Sequence, residues 1–167
     1  MKRRFFNTKR LVIHSLVLLL AALLSPLAIA QGAVYSFNLD PPNTAADESG
    51  NVIRVTGAGV FDTGSGAVRA TGSFTIFNSA GAVTGRGTWR ATDFGSFDSF
   101  GGPSPGFQGG VLEITVTLFP QGGSPITDVP MSITCLVNAP PGFTEDEGTT
   151  VGDFTEKTGG TTLFHLH

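Results

Sequence analysis

Arg54, Arg69, Arg86 and Arg90 are four of the five lysines and arginines that follow residue 30 in this 167-residue chain; Lys157 is the fifth. Each arginine sits in a segment that alternates with a period of two, the pattern of a strand with two unlike faces. In Val52 to Asp62, Arg54 and Thr56 oppose Ile53, Val55, Gly57, Gly59 and Phe61. In Ala67 to Phe77, Arg69, Thr71, Ser73 and Thr75 oppose Val68, Ala70, Gly72, Phe74 and Ile76. In Val83 to Ala91, Thr84, Arg86, Thr88 and Arg90 oppose Val83, Gly85, Gly87 and Trp89. The three segments form a meander whose polar face gathers the arginines among threonines. Such guanidiniums ordinarily pair with carboxylates across strands and keep a sheet soluble. Their functional reading is a patch for an anion or an acidic glycan, or a self-association surface complementary to the acidic loops.

Other residues offer less. Val111 to Phe119 places Leu112, Ile114, Val116 and Leu118 on one face and Glu113, Thr115 and Thr117 on the other. The polar face is expected to meet solvent; turned into a lumen, it would make Glu113 a general acid or base. Gly102-Pro103-Ser104-Pro105-Gly106 fits the Gly-x-Ser-x-Gly pattern of a hydrolase elbow. It lacks the following helix, and Pro105 has no N–H for an oxyanion hole, so Ser104 is rejected as a nucleophile. His165 and His167 share a face but supply too few ligands for zinc. Glu145-Asp146-Glu147 and the Asp93/Asp98 pair lack the regular oxygen spacing of an EF-hand loop and read as solvated surface. The sequence assigns no catalytic residue, no metal and no cofactor.

The elements that position these residues follow an address. Lys2, Arg3, Arg4, Lys9 and Arg10 precede an apolar run from Leu11 to Leu24, then Ser25-Pro26 and the small-x-small site Ala28-Ile29-Ala30. This is the layout of a cleaved signal peptide over residues 1–30, with residues 31–167 as a single secreted domain, periplasmic or extracellular. The rival is an uncleaved anchor, since Leu11 to Ala30 is long enough to span a bilayer. Beyond residue 30, thirteen Asp and Glu face five Lys and Arg. An acidic domain is repelled by a phosphate backbone, which argues against nucleic acid, and no polybasic segment holds it to an anionic membrane. Cys135 is the single cysteine, so no intrachain disulfide can form. It alternates in phase with Met131, Ile133 and Val137 and is expected as a buried small hydrophobe.

No segment carries a helical period, and turn signals recur at short intervals. The reading is all-β, about eight antiparallel strands, with an up-and-down β-barrel favoured over a two-sheet β-sandwich. Inward glycines on three neighbouring strands fit the curl of a small barrel. Thr92 to Gly110, with its four phenylalanines, is expected as a long loop folded over one end, or as a lid on a ligand site. The pattern Gly57-x-Gly59-x-Phe61, Gly72-x-Phe74 and Gly85-x-Gly87-x-Trp89-x-Ala91 resembles that of small uncharacterised secreted bacterial proteins. That resemblance implies an all-β exported domain and transfers no functional residue. The barrel topology is also similar in outline to the dirigent and allene-oxide-cyclase type, whose activity no motif here carries over. The expectation is a non-enzymatic domain with a binding or structural role outside the cytoplasm. Its candidate partners are an anionic glycan, a small molecule or another copy of itself. The alternatives are a cavity enzyme of cyclase or isomerase type using Glu113 with an arginine, and an extracellular assembly subunit.

Overall fold

The computed structural model describes residues 32–39 and 41–167, so the expected signal segment, residues 1–30, lies outside the described residues. Ten antiparallel strands make one sheet, and no helix occurs among the described residues. In chain order they are β1 (Val34–Asn38), β2 (Asn43–Ala46), β3 (Val52–Asp62), β4 (Ala67–Phe77) and β5 (Val83–Ser104). After these come β6 (Phe107–Pro120), β7 (Ile126–Cys135), β8 (Gly148–Val151), β9 (Glu156–Gly159) and β10 (Leu163–Leu166).

The meander of β3, β4 and β5 forms in the register that the alternation requires. Val55 lies opposite Phe74, and Phe74 opposite Gly87. Its turns are built by short polar side chains that bond their own backbone. Asp62 Oδ1 accepts from the Gly64 N–H at 2.8 Å, and Asn78 Oδ1 accepts from the Ala82 N–H at 2.9 Å. β1 and β2 lie end to end along β3, pairing with its second and first halves respectively. On their other sides, β1 pairs with β10 and β2 with β9. β10 also pairs with β6 at Gln108, while β7 follows β6 from Gly110 to Leu118 and carries β8.

Asn43 to Ala46, a short segment without apolar alternation, forms β2, and Lys157 to Gly159 lies in β9. The two pair with each other through a bulge beside Thr44 and Ala45, an interaction that local turn signals do not reveal. The phenylalanine-rich stretch is the far half of β5 and the start of β6, not a loop. β5 is irregular at Ala91/Asp93, Phe94/Ser96 and Ser99/Gly101. Each bulge inserts a residue and turns the period of two locally into three. Phe94 and Phe97 therefore both reach the core although an alternating strand would send them to opposite faces.

The core is one cluster drawn from most strands of the sheet. Phe61 stacks on Tyr35 at 5.4 Å between ring centres, and Phe97 meets Tyr35, Phe61 and Phe164 at 4.7 to 4.9 Å. Farther along the same face, Trp89 shares a row with Gly57, Gly72 and Leu118. The indole lies over the two glycines and donates its Nε1–H to the Thr56 carbonyl at 2.9 Å. A Cβ on Gly72 would stand 1.9 Å from that carbonyl oxygen and 2.5 Å from Nε1. One on Gly57 would stand 2.4 Å from Cζ2 of the ring. The glycines are the floor on which the tryptophan rests.

Candidate functional site

The outer face of β3, β4 and β5 carries all four arginines, each exposed. Arg54, Thr75 and Arg86 form one row across the strands. Thr56, Ser73 and Thr88 form the next, with the Thr56 and Ser73 hydroxyls 2.8 Å apart. Ala58, Thr71 and Arg90 form the third, and Arg69 lies opposite Val60 in the row beyond. Strand spacing and rise put the Arg54 and Arg86 backbones about 10 Å apart, and those of Arg69 and Arg90 about 8 Å apart. A hydrogen-bonded sheet thus fixes the bases of the four cations, while their side chains remain free to adjust.

Among the described residues, the carboxylate partners expected for these arginines are absent. The ion pair found among the described residues joins Lys157 to Glu145 at 3.2 Å, on another part of the sheet. The reason lies in the register: the arginines face Thr44, Val60, Thr71, Thr75 and Thr117 across the strands. Two rest on rings instead. The Arg54 guanidinium lies 5.1 Å from the centre of Phe77, and that of Arg90 lies 5.7 Å from Phe119. A ring face attracts and orients a guanidinium without neutralising it. The positive charge of the patch therefore remains available.

Between two of the arginines the sheet opens. β4 pairs with β5 only from Thr71 opposite Arg90; beyond Arg90, β5 leaves β4 and follows β6. The divergence leaves a cleft of about 320 Å³, with Arg69 and Arg90 at its rim and Val68, Ala70 and Ala91 in its walls. Cations at the lip and a small apolar wall can together hold a compact anionic group with an apolar face.

Glu113 does not join this site. It lies on the outer side of β6, in register with Ser132 of β7 and Thr150 of β8. There it lines a shallow groove of about 390 Å³ with Glu145, Asp146, Glu156 and Lys157. Its sequence neighbours Leu112 and Ile114 point into the core. Ser104 closes the β5–β6 hairpin opposite Phe107, without a helix behind it. His165 pairs in register with Ser36, and the His167 Nε2 lies 2.8 Å from the Ser36 hydroxyl. No group of three His, Cys, Asp or Glu among the described residues is placed to hold a metal ion.

Sequence reasoning brought the four arginines together but missed Phe77, Phe119 and the cleft. The rings were detectable, since Phe77 is in phase with Arg69 and Thr75, and Phe119 with Thr117. The cleft was not, because it depends on where β5 changes neighbour. Comparison with protein-family models, curated proteins and solved structures finds no match to this chain.

Proposed function

We propose that this chain is an exported, non-enzymatic β-barrel domain that binds an anionic glycan, or another polymer bearing carboxylates, across the arginine face of β3 to β5. The observation that carries the reading is the set of four exposed arginines on adjacent strands with no carboxylate within 4.0 Å among the described residues. Arginine presents a planar fork of donors suited to carboxylate groups, and the interleaved Thr56, Thr71, Ser73, Thr75 and Thr88 add hydroxyls for a sugar. A polymer matches the layout better than a single ion, because the cations are spread along and across the strands. Export follows from the signal layout of residues 1–30.

Closure of the sheet as a barrel is supported by the circuit of pairings β1–β3–β4–β5–β6–β10 and back to β1. The interior of such a barrel is filled by aromatic and aliphatic side chains and holds no buried charged residue among those described. That favours a binding role over the cavity-enzyme reading, in which Glu113 would have to face inward with an arginine.

The test is retention on immobilised alginate at low salt. Arg69→Gln with Arg90→Gln is expected to lower affinity about tenfold, the scale of one or two charge-assisted hydrogen bonds at an exposed site. Thr144→Glu with Thr155→Glu changes net charge by the same amount on the acidic side and is the control. If both double variants elute together, the arginine face is not the binding surface.

A further inference from the structure

A second opening lies away from the arginines, where β3, β4, β6, β7 and β8 present the ends of their core faces. It measures about 340 Å³, at the small end of the roughly 300–1,000 Å³ typical of ligand pockets, and is walled by Ile53, Ile76, Leu118, Val129, Val151 and Phe154. Two carboxylates, Asp128 and Asp153, also line it, and no Lys or Arg does. Neither carboxylate has a cationic partner among the described residues.

Both carboxylates are held there by special backbone. β7 bulges opposite Val116 to Leu118, so that Thr127 and Asp128 together face Thr117. Asp128 takes a left-handed conformation, with φ of 59°. Such a conformation is uncommon for a residue with a side chain, though Asp and Asn tolerate it best, and bulges of this kind re-aim side chains. Asp153 sits in the tight turn between Val151 and Phe154, which bond each other through both backbone groups at 3.0 and 3.1 Å. The turn is anchored by the Gly152 N–H, which donates to the Pro130 carbonyl at 2.9 Å. The chain thus departs twice from regular strand, and each departure sets an unpaired carboxylate at the edge of an apolar hollow.

We infer that this opening binds a small organic cation with an apolar body, an alkyl or aryl amine whose carbon chain enters between Ile53, Ile76 and Val151 while its ammonium stays at Asp128 and Asp153. The apolar walls supply affinity by removing the chain from water. The carboxylates supply orientation and select charge, and they reject an anion of the same shape. This site is independent of the arginine face and of the polymer proposed for it.

The test is a methyl NMR titration of the purified protein with hexylammonium, hexan-1-ol and hexanoate, which share one apolar chain and differ in head-group charge. Hexylammonium is expected to shift the methyls of Ile53, Ile76 and Val151 with an affinity about fivefold above that of the alcohol, as two exposed ion pairs imply. Hexanoate should bind weakest. Asp128→Asn with Asp153→Asn keeps the left-handed residue tolerable and should remove the preference for the ammonium while leaving the alcohol unchanged. Absence of shifts with all three probes, an order in which the alcohol or hexanoate equals the ammonium, or a preference that survives in the double variant would each overturn the inference.

Discussion

Replacement of Gly72 by alanine tests whether the glycine floor under Trp89 sets the stability of the meander. The added methyl would stand 1.9 Å from the Thr56 carbonyl oxygen, which is backbone and cannot rotate away. It would also stand 2.5 Å from the indole Nε1, which that same carbonyl accepts from. Relief requires β3 and β4 to separate locally or the indole to leave its bond. Overpacking of this kind costs about 1–3 kcal/mol, and stranding a buried N–H and its acceptor adds about 1–3 kcal/mol. The sum, roughly 2–6 kcal/mol, is a large part of the about 5–15 kcal/mol available to a domain. Trp89 is the single tryptophan of the chain, so its fluorescence follows urea unfolding without labels. With a urea slope of about 1–3 kcal/mol per molar, the midpoint should fall by at least about 0.7 M. Gly85→Ala is the matched control, because its methyl would meet nothing closer than Ile76 Cδ1 at 3.5 Å. That change should be neutral or stabilise by up to about 1 kcal/mol through the unfolded state. If Gly72→Ala and Gly85→Ala unfold at the same urea concentration, close approach over the glycines is not what holds the tryptophan.

Three further outcomes follow from features already described. Burial pushes the Cys135 thiol above its ordinary pKa, so it should resist a thiol-reactive dye at pH 8 and react at once after unfolding in urea; fast reaction of the folded protein would contradict its burial. The side-chain bond from Asn51 lowers the Asp47 carboxyl below its ordinary value, and that from Ser65 lowers Asp62. A depressed folded-state pKa gives stability that is present above the unfolded value of about 3.9 and lost as pH falls through the folded one. Carboxyl NMR titration should therefore find both midpoints below that value in the folded protein and find the turns loosening only under more acid conditions. Thr134 is fully buried, and its hydroxyl lies 2.7 Å from the Lys157 ammonium, whose side chain is only 7% exposed. Thr134→Val leaves that ammonium with Glu145 alone and should cost about 1–3 kcal/mol in thermal unfolding, against little change for Thr144→Val on the exposed loop.

The sequence was most informative where one face of a strand is buried and the other wet. Between Val52 and Trp89 the alternation of Arg54, Val55, Thr56 and their counterparts identified strands, faces and turns, because a shift of one residue would bury the arginines. The same rule failed at Phe94 and Phe97, where bulges let residues three apart share the core face. It failed again at Asn43 to Ala46, whose strand character comes from pairing with β3 and β9 rather than from its own residues. The arginine patch was legible because strand parity alone brings its members together. Their lack of carboxylate partners among the described residues was not, since it depends on which residues the neighbouring strands place opposite them.

Tyr35 and Leu166 are partners in the β1–β10 ladder although about 130 residues of chain lie between them. At synthesis rates of about 5–20 residues per second, the segment containing Tyr35 waits on the order of 10 s for that partner to exist. β3, made soon after, can satisfy one edge of β1 in the meantime, but the other stays open. An open strand edge is a template for the wrong neighbour, and ladders between residues so far apart in sequence are slow to form. The growing chain therefore passes through a period in which a second molecule competes for the edge of β1, and yield on refolding should decline with protein concentration more steeply than stability alone would suggest.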